Sequence, residues 1–242
     1  SYKRQVMLSR LLKLCFLTSI MFGTVVYAAN DDLDFLRQSA QKSNEWRLIK
    51  HDKIRNIKAY DKRETGQNLR SFKVEYELEG NLDDIARVYF DFDNYNRWFY
   101  ELISAKLLTK ISPTEFYYYT SHRAPPTLPD RDTVLHATIE KYNKKTGYAR
   151  LTLIAEPNYI PAKPPLIRMP KMNMTVTWTP TENGTINGVA EGFVDPGGIT
   201  PAWAINYVQR QAPYLTAVGL LRSVKQQQQA GINAQPLFSL KE

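Results

Sequence analysis

Asp195-Pro196-Gly197-Gly198-Ile199-Thr200-Pro201-Ala202-Trp203 is the stretch on which the reading of this chain turns. Asp-Pro followed by two glycines marks a tight turn, because glycine accepts backbone angles that other residues avoid. Thr200 then suits an N-cap and Pro201 the first helical position, where a missing N–H costs nothing. Downstream, Ile205, Val208, Ala212, Leu215 and Gly219 recur at helical spacing and form an apolar stripe. Pro213 lies within the stripe and is expected to kink or interrupt the helix. The segment therefore launches a long helix with one face to bury. After Val224 come the glutamines at 226–229 and a mixed tail, so residues 226–242 are expected to be loosely attached.

Most of what precedes this helix reads as strand. Residues 46–51, 54–59 and 69–78 form a first set. In the last of these, Phe72, Val74, Tyr76 and Leu78 alternate with Lys73, Glu75 and Glu77, the period of a sheet with one apolar face. Gly80 ends the run. Asn81 caps a helix with Asp83 and Asp84 in its first turn, where the helix dipole favours acids. That helix is expected to reach about Phe92, followed by a turn at 93–96 into Trp98-Phe99-Tyr100. A second set of strands is expected at 106–111, 115–121, 133–142, 149–156, 172–180 and 185–194. Hairpin turns fall at 143–147 and 182–184. Proline-rich connections at 124–129 and 157–170 are long enough to suggest function. With a short helix at 30–45, the order is that of an α+β fold built on a largely antiparallel sheet. A strongly curved sheet closed by the final helix can enclose a cavity.

Residues 14–26 are uncharged and apolar, follow Arg10 and Lys13, and lead to Val26-Tyr27-Ala28. That is the pattern of a secretory leader, and the run is short for a membrane-spanning helix of about 20 residues. Residues 1–28 are expected to be a cleaved signal peptide, with Met7 as initiator and residues 1–6 an extension; an uncleaved anchor is the alternative. This reading implies export, to the periplasm if the protein is bacterial. The formal charge of +8 falls to +4 without this segment, since 28 basic and 24 acidic residues then remain. Such a charge permits weak attraction to anionic headgroups and does not call for nucleic acid. Cys15, the single cysteine, lies in the leader, so residues 29–242 carry no disulfide, thiolate nucleophile or Cys-ligated metal.

Catalytic signatures are missing. There is no GxSxG elbow, no HExxH and no phosphate loop, and His51, His122 and His136 are not at a metal-pair spacing. No metal or cofactor is expected. The basic residues form no dense stripe with interleaved aromatics, which argues against a nucleic-acid surface. One charged motif stands out. Leu128-Pro129-Asp130-Arg131-Asp132 precedes an apolar strand. Arg131 there is a buried cation held by a carboxylate, a headgroup anchor, or a member of a surface salt network, since an unpaired buried charge would be very costly.

Four local motifs, in this order, resemble the START lipid-transfer family, particularly its exported bacterial members. They are Pro129-Asp130-Arg131-Asp132; Ile167-Arg168-Met169-Pro170 with Trp178-Thr179-Pro180; the 195–203 segment; and Asn206, Pro213 and Leu221-Arg222 in the final helix. The resemblance covers about 31–225. It departs at Thr133 and Ala190, where the family often has aromatics. It implies a helix-grip fold, with a curved antiparallel sheet around the C-terminal helix and a tunnel for one lipid, be it a sterol, a phospholipid or another apolar ligand. It further implies transient membrane contact and a lid made of that helix and the 124–129 loop, with Gly197, Gly198 and Pro213 as hinges. Tyr117, Tyr119, Met172, Met174, Trp203, Asn206 and Tyr207 are the expected wall residues, with Arg131 the polar anchor. Two other functions compete: a cyclase or hydrolase acting on an apolar substrate, and an interaction module whose cavity has collapsed.

Overall fold

Among the described residues, alternation of apolar and polar side chains draws the chain into ten strands. They are β1 (Arg47–Asp52), β2 (Ile57–Arg63), β3 (Arg70–Glu79), β4 (Leu102–Ser112), β5 (Glu115–His122), β6 (Arg131–Glu140), β7 (Ala149–Ala155), β8 (Ile167–Arg168), β9 (Lys171–Pro180) and β10 (Thr185–Asp195). The computed structural model describes residues 44–64 and 69–242. The leader lies outside the described residues, as does the expected helix at 30–45 apart from its last two positions. Among the described residues two helices accompany the strands, α1 (Leu82–Tyr89) and α2 (Ala202–Gln229), with a 3-10 turn at Phe92–Arg97.

One sheet runs in the order β1-β2-β3-β10-β9-β7-β6-β5-β4. Every neighbouring pair along it is antiparallel, and β8 adds a short parallel pairing to β6. Register shifts interrupt β1–β2 once and β4–β5 three times. Extra residues of this kind bend a strand and raise its twist, which curls the sheet. The result is the helix-grip arrangement: a curved antiparallel sheet around a long C-terminal helix. Several strands differ from the sequence reading: β2 starts at Ile57 after a turn, not at 54, and β6 starts at Arg131. β4 begins at Leu102, because its bulges break the alternation, and β8 is two residues long, below what periodicity detects.

The core lies on the concave face. Trp178 is fully buried and donates its indole N–H to the hydroxyl of Tyr76, 2.9 Å away. Gly188, paired with both residues, leaves room for the Tyr76 ring; a Cβ there would lie 2.2 Å from it. Tyr89 of α1 meets Trp178 edge-on at 5.1 Å. Asn81 is the expected N-cap and forms a capping box with Asp84; α1 ends at Tyr89, short of the expected Phe92.

The final helix departs from expectation at both ends. Its N-cap is Pro201, and the Thr200 hydroxyl is engaged elsewhere. Pro213 does not interrupt it; the helix runs unbroken from Ala202 to Gln229. The tail is not loose. Phe238 and Leu240 are buried, Phe238 stacks on Phe116 at 4.1 Å, and Leu240 accepts from the Tyr142 N–H at 2.8 Å. These buried side chains and the Lys241–Asp83 ion pair hold the segment on the core.

Phe238→Ala should therefore lower unfolding free energy by about 3 kcal/mol in urea titrations, the usual cost of emptying an aromatic core site. Gly219 faces the carbonyl oxygen of Trp98, which a Cβ would approach to 2.1 Å. Gly219→Ala should lower Tm although alanine is the better helix former by about 1 kcal/mol.

Candidate functional site

Between the concave face and the first half of α2 the packing is incomplete, leaving a cavity of about 230 Å³. A single water needs about 10–15 Å³ on this scale, so the space is far larger than a hydration site. Its sheet wall is Val74 of β3, Ala190 of β10, Met172, Met174 and Val176 of β9, and Leu135 of β6. These positions share one face by register: Ala190 pairs with Val176 and with Val74. The helix wall is Ala204, Ile205, Val208, Ala212, Pro213 and Thr216. Methionines suit an apolar wall that must fit an irregular guest.

Polar groups gather where β5, β6 and the loop after Asp195 meet. His122 and Arg131 are direct partners across β5 and β6, and both line the cavity with Thr120 and Thr200. Arg131 is only 6% exposed. One of its terminal nitrogens donates to the Pro129 carbonyl and the other to the Thr200 hydroxyl, 2.8 Å away. Its Nε–H has no partner. Burial pulls the guanidinium below its ordinary pKa, with Asp130 opposing. Thr200 in turn donates to the Gly197 carbonyl at 2.9 Å, and Asp195 accepts from the Gly197 N–H at 2.9 Å. Gly197 and Gly198 both have positive φ, and a Cβ on Gly197 would lie 2.9 Å from the Arg168 carbonyl. The glycines of the 195–203 segment thus let it lie against β8 while its threonine reaches Arg131.

Arg131 does not share a carboxylate with its neighbours. Asp132, on the opposite face of β6, is gripped by Arg168 through two bonds of 2.8 and 3.0 Å. Arg168 also donates to the carbonyls of Pro157, Ile160 and Pro161, fixing the 157–170 loop over the convex face.

Of the expected wall residues, Met172, Met174 and Arg131 line the cavity. Tyr117 and Tyr119 do not: they point to the convex face and Tyr118 points inward. Tyr117 stacks between His136 and Tyr159, at 4.6 and 4.1 Å, and Tyr119 lies under the ammonium of Lys163 at 3.9 Å. The convex loop buries these rings, so apolarity does not mark the inner face of β5. Trp203, Asn206 and Tyr207 are also outside the lining; Trp203 and Tyr207 are about half exposed, at 46% and 51%. The helix turns its smaller residues inward at 204, 208, 212 and 216, because bulky rings would fill the space. Sequence reasoning missed Tyr118, Thr120, His122 and Ala204; the small-residue series at four-residue spacing was the available signal.

No family model matches the chain. An uncharacterized protein of Pseudomonas aeruginosa is 25% identical over 210 residues, covering 87% of this chain and 95% of its own length. The crystal structure of a STAR-related lipid transfer protein from Xanthomonas axonopodis superimposes with a TM-score of 0.68 at 28% identity, covering 74% of this chain and 98% of that one. Human StAR-related lipid transfer protein 5 has the same fold, with a TM-score of 0.64 at 14% identity over 84% of this chain and 98% of its own. The described domain is START-like.

His122 provides a test of the cavity wall. Burial pushes its imidazole down to about 4. Below the ordinary value of 6.5 the unfolded chain takes up a proton that the folded chain refuses. Its contribution to stability is thus present above pH 6.5 and is lost as pH falls toward 4. Between pH 7 and 4.5 the native chain should lose roughly 2 kcal/mol that His122→Gln does not lose, read from paired denaturation curves.

Proposed function

We propose that the chain is a lipid carrier or sensor, not an enzyme, that works outside the cytoplasm. The observation that carries this reading is the apolar cavity enclosed by a START-like sheet and its final helix. Withdrawing a lipid chain from water is favourable by about 0.8 kcal/mol per methylene, and the cavity offers that burial away from a membrane. The solved Xanthomonas structure carries the name of a lipid transfer protein, which supports the assignment. The leader pattern of residues 1–28 supports export. Among the described residues, His122 in the cavity bonds only to the Thr120 hydroxyl, at 3.0 Å, so no carboxylate orients it as a general base. An open cavity also disfavours the collapsed interaction module.

Loading requires the roof to move. The gate in this reading is the first half of α2 with the 124–129 loop; Pro125, Leu128, Thr200 and Ala204 line the cavity from these two sides. Beside it Ile199 is 97% exposed, and Trp203 and Tyr207 follow at helical spacing, also exposed. Tryptophan and tyrosine suit the boundary between acyl chains and water. They give the gate a surface with which to meet a bilayer.

Native mass spectrometry of the purified protein, followed by organic extraction, should release one lipid per chain on unfolding; absence of lipid and of uptake from liposomes would count against a carrier. Replacing both Ile199 and Trp203 by serine should slow transfer of a fluorescent lipid between liposomes by about tenfold while leaving Tm unchanged, since neither residue supports the core. Unchanged transfer would remove the membrane role from this surface.

A further inference from the structure

We infer that the cavity takes an amphiphile with a single anionic headgroup, seated on Arg131. This rests on the lipid-carrier reading and narrows it to a ligand class. The first observation is that Arg131 is buried with no carboxylate. Both adjacent acids are committed elsewhere: Asp130 accepts from the Ala124 N–H at 2.9 Å, and Asp132 belongs to Arg168. Among the described residues no acidic side chain comes within ion-pairing distance of Arg131. Its partners are one carbonyl and one hydroxyl, and its Nε–H is unmatched. A buried cation is costly until an opposite charge reaches it, whereas a charge-assisted bond to a bound anion is strong.

The second observation is the sign of the whole lining. Besides Arg131 it contains Arg123 and His122, and among the described residues it contains no Asp or Glu. A sterol hydroxyl would give Arg131 one neutral acceptor and leave the positive charge uncompensated. A zwitterionic headgroup would bring its own ammonium to a wall with no acid to receive it. A carboxylate or a phosphate monoester matches the open donor without that penalty. The rest of the lining is apolar enough to hold the attached chain. Two ligand sources share this chemistry, a free fatty acid and a single-chain lipid phosphate.

The test uses the full chain stripped of lipid. The fluorescent polyene cis-parinaric acid is titrated in, in parallel with its methyl ester, which keeps the chain and removes the charge. The acid is expected to bind at least about tenfold more tightly than the ester, the scale of one charge-assisted contact. In Arg131→Met the acid should fall to the affinity of the ester, with the ester unchanged; Arg131→Lys should keep part of the preference. Displacement of the acid by both palmitate and hexadecyl phosphate would support the shared anionic chemistry. Displacement by palmitate alone would support it with a carboxylate as the source. Equal binding of acid and ester by the unsubstituted chain would overturn the inference without any variant, as would Arg131→Met weakening both alike. If neither probe binds and the purified protein holds a neutral lipid, the anionic class fails and the carrier reading stands. If no lipid of any kind is bound or taken up, the carrier reading fails with it.

Discussion

A sheet whose concave face is apolar must be covered, and in this chain the cover is α2. The way that helix meets the sheet divides the molecule. From Tyr214 onward, Tyr214, Ala217, Gly219, Leu220 and Val224 are buried, and Gly219 brings the backbone against Trp98. Before Tyr214 only Ala204 is buried, and the residues facing the sheet leave a gap. One helix thus acts as anchor along half its length and as roof along the other. Local stability follows the density of buried contacts, which is lower in the part of the helix over the cavity.

The Asp130-Arg131-Asp132 triplet serves the two faces of the sheet separately. Alternation sends Asp132 to the convex side, where Arg168 neutralises it and uses its remaining donors to tie down the 157–170 loop. Arg131 goes to the concave side, to a hydroxyl supplied from the start of α2. The short pairing of β8 with β6 places both systems within a few residues of the 195–203 turn. The convex ion pair is structural. The concave cation links the sheet, the roof and the cavity.

Much of this was legible in the sequence. Alternation located most strands, Asn81 announced its N-cap, and the Asp-Pro-Gly-Gly turn announced the helix whose placement defines the fold. What was not legible has physical causes. Bulges erased the alternation at the start of β4. The tail is held by Phe238 and Leu240, too few apolar residues to register as an element. Within β5 the periodicity separates Tyr117 and Tyr119 from Tyr118, but does not say which set faces inward, because the convex loop buries rings as well as the core does. On α2 the large aromatics drew attention to the wrong face. A helix that roofs a cavity places small residues toward it, and Trp203 and Tyr207 face outward.

Arg131 and Arg168 differ in how far the fold offsets the burial of their charge. Both are arginines beside the same triplet, and both are largely buried. Arg168 has a bidentate carboxylate and three carbonyls, so the energy of removing it from water is offset within the protein. Arg131 has two neutral acceptors and an open N–H, so the offset is incomplete and burial depresses its pKa. An apolar residue of similar size would give this strand a cheaper interior. An anionic ligand, as inferred for this cavity, would complete the offset that the fold leaves open.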